Sequence, residues 1–149
     1  MGASDGGGPP ARDSSPASPA RTIRVTAGLT LDTGALIALE RRRQRMARIY
    51  AVAVADRLPV TVPAVVIAEW WRGRTEARAI VLRGVRVEHT TTDLARVAGE
   101  ALAAVAGATA IDAIVMASAA SRGDVVCTSD FDDLHRLTRF FPAVRLLTV

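Results

Sequence analysis

The stretch AIDAIVMASAASRGDVVCTSDFDDL, residues 110–134, decides the fold. Its first half is apolar at helical spacing, with Thr109 ahead of it as an opening cap and Gly123 behind it as a stop. Asp124 to Thr128 is a compact apolar run that reads as a strand, and Ser129-Asp130 lead into another helix over about 131–138. Pro142 precedes a last short strand, 144–147. Helix, buried strand, helix, strand in close succession is the texture of a parallel sheet covered by helices.

The same alternation extends toward the N-terminus. Leu29-Thr30-Leu31 is a short strand ending at Asp32, and Thr33-Gly34 turn the chain into a helix over about 34–42. A second helix, about 44–57, is stopped by Pro59, and Val60-Thr61-Val62 form the next strand. Pro63 stands at the first position of a helix over about 63–72, where its missing N–H costs nothing. A shorter helix over about 75–82 ends at Gly84, and Val85 to His89 form a strand. Thr92 caps a long Ala-rich helix that runs to Ala106 and stops at Gly107. Residues 1–24 are rich in Gly, Pro, Ser and Ala and are expected to form a disordered tail outside a single domain spanning 25–149.

Composition narrows the chemistry. Of 149 residues, 50% are hydrophobic and 4% aromatic, and all 19 basic residues are Arg. Without Lys there is no Walker A loop and no Schiff-base amine. The net charge of +4 suits a polyanionic partner. No apolar run is long enough to span a membrane, the N-terminus has no apolar secretory core, and a lone Cys127 suits a reducing cytoplasm. His89 and His135 are isolated, so no zinc site is expected.

Four acids stand where acids are least expected. Asp32 follows the strand LTL, Glu69 interrupts VVIAEWW, Asp112 interrupts AIDAIVMA, and Asp130 follows VVCTS. Each has an ordinary structural explanation. Asp32 can form an Asx-turn with Gly34, Glu69 can pair with Arg72, Asp112 stands at capping-box spacing from Thr109, and Asp130 can cap the helix that starts at Phe131. Yet Asp32 and Asp130 both lie at the carboxyl ends of strands, the edge that holds the ligand crevice of an open α/β sheet. Carboxylates gathered there need raised pKa values or a cation between them, and all-oxygen donors select Mg²⁺ or Mn²⁺.

The runs LDTGALIALE, AEWWRG and residues 110–134, in that order, resemble the PIN domain family, in particular the VapC-type toxin ribonucleases, over about residues 28–149. The resemblance implies a three-layer α/β/α sandwich with a mostly parallel five-stranded sheet. It implies a Mg²⁺- or Mn²⁺-dependent endoribonuclease of a type II toxin–antitoxin pair, located in the cytoplasm. Asp32, Glu69, Asp112 and Asp130 take the catalytic acidic positions. Asp32 and Asp112 are the foremost metal ligands, with Asp130 beside them. Thr128 or Ser129 is expected to hydrogen-bond within the site, and Asp133 matches a nearby acidic position. The partners implied are RNA, a small antitoxin and a second copy of the chain. About 22 residues separate Glu69 from Thr92, less than in larger relatives that carry a helical clip there.

An acidic crevice needs a basic rim to draw RNA. Arg72, Arg74 and Arg78 are candidates for that rim, whereas Arg41, Arg42, Arg43, Arg45 and Arg48 read as a solvated face. Two other readings use the same residues: a catalytically silent PIN-fold binding module, or another Mg²⁺-dependent phosphohydrolase. Retention of all four acids opposes the first. The absence of Lys and of an Asp-x-Asp after the first strand opposes the second.

Overall fold

The computed structural model describes residue 2 and residues 27–149. The tail expected over residues 1–24 lies outside the described residues, residue 2 aside. In chain order the elements are β1 (Leu29–Leu31), α1 (Thr33–Glu40), α2 (Gln44–Ala55), β2 (Val60–Pro63), α3 (Ala64–Trp70) and α4 (Glu76–Arg83). These are followed by β3 (Arg86–Glu88), α5 (Thr92–Ala104), α6 (Ala110–Arg122), β4 (Val125–Thr128), α7 (Phe131–Leu137) and β5 (Arg145–Thr148).

The five strands form one sheet in the order β3-β2-β1-β4-β5, and every neighbouring pair is parallel. With the usual right-handed crossovers, α1 to α4 belong to one face and α5 to α7 to the other. Accordingly α1 touches α2, α3 and α4, and α6 touches α5 and α7, while α3 meets both α1 and α6. A parallel sheet buried on both faces needs continuously apolar central strands. Accordingly β1 and β2 are buried throughout, whereas the edge strands β3 and β5 are partly exposed. Ala113, Ala117 and Ala119 of α6 are buried beside Val115 and Met116, and their small side chains let this helix lie close to the sheet.

Helix ends follow local chemistry. Thr109 accepts from the backbone N–H of Asp112 at 3.1 Å to open α6, and Gly123 closes it at φ +71°. Where glycine would be usual, α1 and α2 end on arginine instead. Arg42 (φ +52°) and Arg57 (φ +56°) sit in the left-handed region. Around them Arg43 N donates to Ala38 O at 2.9 Å, and Leu58 N to Ala53 O at 2.8 Å, completing Schellman turns. Several boundaries differ from the sequence reading. Pro63 ends β2 and precedes α3 rather than opening it, because it still pairs with Glu88 of β3. Thr91, not Thr92, caps α5 by accepting from Leu94 N at 3.1 Å.

A charged network pins α6 to the sheet. Arg122 pairs with Glu88 and, at 2.9 Å, with Asp124 Oδ2, and it donates to Thr30 Oγ1 and Ser118 Oγ at 3.0 and 2.9 Å. Thr30 Oγ1 donates in turn to Asp124 Oδ2 at 2.9 Å. Asp124 is buried, so this pairing supplies the compensation a buried charge requires. It fixes the helix that carries Asp112 at its other end.

Candidate active site

The chain builds outward from β1 in both directions. It adds β2 and β3 on one side, then returns across the sheet to add β4 and β5 on the other. Strand order therefore reverses between β1 and β4, and a crevice opens at their carboxyl ends. The register pairs Leu31 with Cys127, which brings Asp32, just beyond β1, beside Thr128 at the end of β4. The parallel pairing continues one residue further, as Asp32 N donates to Cys127 O at 3.2 Å.

Asp32 is 8% exposed and Oδ1 accepts from Ala35 N at 2.7 Å, which makes it the cap of α1. The turn partner is Ala35 rather than the Gly34 expected from sequence. Burial pushes the Asp32 carboxyl from 3.8 up to about 6. Hydrogen bonds from Thr128 and Ala35 oppose that rise, and the charges of Asp112 and Asp130 add to it. Gly34 lets the next element approach, since a Cβ on it would stand 2.9 Å from Ser129 Cβ and closer still to the Ser129 hydroxyl. The β4–α7 loop thus rests directly on the first turn of α1.

Asp112 occupies the first turn of α6. Its carboxyl is raised, chiefly by burial and further by Asp133, Glu69 and Asp130, against a lowering bond from the Thr109 hydroxyl. Asp130 precedes α7 but its side chain makes no capping bond, and its backbone N–H donates instead to Thr128 Oγ1 at 2.8 Å. Thr128 is fully buried and serves both Asp32 and Asp130. Asp133, half-buried on α7, adds to the same field and stands 3.7 Å from Arg136. Glu69 lies exposed near the end of α3 and forms no ion pair with Arg72 among the described residues.

The fold therefore brings Asp32, Asp112 and Asp130 within electrostatic reach of one another, and Glu69 within reach of Asp112. Among the described residues, however, no three His, Cys, Asp or Glu side chains are drawn together tightly enough to hold one ion as they stand. The donor set still fits a hard divalent cation. It is all oxygen, partly desolvated and mutually repulsive, and Mg²⁺ needs only one or two carboxylates because it keeps several waters. Cys127 is fully buried, and its thiol is pushed up to about 12 by desolvation and then by Asp32, so it is no nucleophile.

The described sequence from residue 29 to 139 matches the family model described as PIN domain. The chain belongs to the PIN domain family. Its fold is shared with DNA-bound VapBC from Salmonella typhimurium, at 17% identity and a TM-score of 0.63 over 82% of this chain and 98% of that one. VapBC2 from Rickettsia felis, bound to a promoter DNA fragment, aligns at 12% identity and 0.63 over 81% and 98%. FitAcB from Neisseria gonorrhoeae aligns at 19% identity and 0.54 over 80% and 96%. A search of curated proteins finds no match.

In this PIN domain the proposed rim splits. Arg72 and Arg74 are exposed, but Arg78 stands 3.1 Å from Glu40 Oε1 and donates to Gly73 O at 3.0 Å. Trp70 is buried and donates from Nε1 to Glu40 Oε2 at 2.8 Å, so it cannot stack on a base. Glu40 escapes a sequence reading. Its only signal is its place one turn beyond Leu36 at the close of LDTGALIALE.

Proposed function

We propose that this PIN domain is a Mg²⁺- or Mn²⁺-dependent endoribonuclease and the toxin of a type II toxin–antitoxin pair of VapC type. The observation that carries the reading is the shared field of Asp32, Asp112 and Asp130, with Glu69 acting on Asp112, in a sheet whose strand order reverses beside Asp32. Asp32 and Asp112 would be the cation's direct ligands, and Asp130, whose charge acts on both, would engage it through the waters that the ion keeps. When bound, the ion lowers the pKa of a water and offsets charge on the phosphate. Glu69, exposed beside them, orients the attacking water and accepts its proton. Thr128 fixes Asp32 through its hydroxyl and the Asp130 backbone through the same oxygen. Arg72 and Arg74 offer phosphate contacts at the rim. Products would carry a 5′-phosphate and a 3′-hydroxyl.

Likeness to VapBC and FitAcB supports an antitoxin partner, and exposed Val52, Val54 and Ile80 offer apolar surface for it or for a second copy of the chain. The cytoplasm is the site of action that goes with this reading. Among the described residues no helix is long and apolar enough to cross a membrane. The test incubates purified protein with end-labelled RNA in Mg²⁺, in Mn²⁺ and in EDTA. Cleavage in either metal, absent in EDTA and in Asp112→Asn, supports the proposal. No cleavage in either metal would leave a binding module.

A further inference from the structure

A cavity of about 390 Å³ opens beside Glu69. Its size falls at the lower end of ligand sites, which run roughly 300–1,000 Å³. Thr33, Ile37 and Trp70 form its walls, and Arg41 and Arg72 reach it from the ends of α1 and α3. Glu40 and Arg78 also line it, but they engage each other, with Trp70 on the second Glu40 oxygen. Glu69 belongs to the carboxylate group and acts on Asp112. That leaves Arg41 and Arg72, both exposed and neither in an ion pair among the described residues. Two uncommitted guanidiniums outweigh the one carboxylate left without a partner in the lining, Glu69, and make the cavity a site for an anion.

The arms are held in place. Arg41 N donates to Ile37 O at 3.0 Å at the close of α1, and the left-handed turn at Arg42 sends the chain onward into α2. The Trp70–Glu40 bond ties α3, which ends just before Arg72, to α1. Thr33, next to Asp32 in the chain, and Glu69, which acts on Asp112, both line the cavity, so it lies beside the carboxylates.

We propose that Arg41 and Arg72 bind the phosphate adjacent to the scissile one on a single RNA strand. This deepens the nuclease reading and rests on it. Recognition there is of the backbone, since the ring of Trp70 is buried.

The experiment uses an oligonucleotide spanning the cleavage site mapped for the wild type, with each phosphate replaced in turn by an uncharged methylphosphonate. Wild type should lose roughly tenfold or more in kcat/KM when the neighbouring phosphate is neutralised. In Arg41→Gln the starting rate should already be lower by a similar factor, and the same replacement should cost little more. Binding in EDTA, followed by fluorescence anisotropy across a salt series, should show a log–log slope shallower by about 0.7 in Arg41→Gln. Arg96→Gln, an exposed change on α5, controls for loss of surface charge and should keep the wild-type slope.

Unaltered RNA binding in both Arg41→Gln and Arg72→Gln would overturn the subsite. Equal sensitivity of wild type and Arg41→Gln to every methylphosphonate would overturn it too. If wild type cleaves nothing yet binds RNA through Arg41, the nuclease reading fails while the phosphate subsite stands.

Discussion

Replacing Asp32 with Asn separates its two jobs. Asn keeps an oxygen to accept from Ala35 N, so α1 stays capped. It removes a charge that the folded protein holds at a cost. The folded carboxyl titrates at about 6 against 3.8 when unperturbed. At about 1.4 kcal/mol per tenfold in proton affinity, that difference is worth roughly 3 kcal/mol. The folded state binds the proton more tightly, so the stabilisation is complete below 3.8 and is lost as pH rises to about 6. At pH 7.5 the ionised wild type therefore carries the whole penalty and the Asn variant carries none. Some of the gain is offset because the Asn amide must find a lone pair on Thr128, whose oxygen already accepts from Asp130 N.

A net gain of about 1–3 kcal/mol in metal-free protein corresponds to a rise of roughly 4–12 °C in Tm for a domain of this size. Melting curves in EDTA between pH 4.5 and 8 provide the assay. The variant should lead at pH 7.5, and the gap should close toward pH 4.5. Added Mg²⁺ should raise the wild-type midpoint and leave the variant where it was. A variant that melts at or below wild type at pH 7.5, or keeps the wild-type pH dependence, would refute the reasoning.

Asp112→Asn should leave metal-free stability unchanged or higher, since burial, Asp133, Glu69 and Asp130 all oppose its charge. RNA cleavage should fall by more than the roughly 10–100-fold that losing an outer-shell partner costs, and cleavage at the wild-type rate would sink the ligand assignment. Gly34→Ala should cost about 1–3 kcal/mol by wedging α1 away from Ser129, and it should lower kcat by separating Asp32 from Asp130. Adding Ser129→Gly to that variant should restore part of both, and urea titration with a cleavage assay checks the pair. Arg57→Gly should stabilise by on the order of 0.5–1 kcal/mol, because glycine occupies φ +56° without the Cβ penalty. A lower urea midpoint in that variant would show that the arginine side chain matters there.

The fold was legible because its signals are local. Gly123 after an apolar helix, the VVCT strand and the short LTL strand each announce themselves within a few residues, and the strands alternate with helices throughout. Ends proved less legible where two neighbours offer the same chemistry, as with Thr91 and Thr92, or where tertiary pairing extends a strand, as at Pro63. The Arg122–Glu88–Asp124 network was not legible at all. Its members lie far apart in sequence, each on an unremarkable stretch, and only the sheet brings them together. Arg41 is as exposed as the arginines that follow it, as expected, and only the left-handed turn at Arg42 sets it apart beside the cavity next to Glu69.

The four acids do not weigh equally once their structural work is known. Folding alone accounts for Asp32 as the cap of α1 and for Asp112 as a partner of the Thr109 hydroxyl. Neither role needs a negative charge, since Asn serves both. Asp130 stands where a cap belongs, yet its side chain caps nothing, and its loop is held through the backbone by Thr128. Glu69 sits exposed without the Arg72 pairing that would explain it. The fold thus gains little from the charges of Asp130 and Glu69 and is opposed by the burial of those of Asp32 and Asp112. In the proposed site a cation would turn the repulsion among Asp32, Asp112 and Asp130, and that between Glu69 and Asp112, into binding energy.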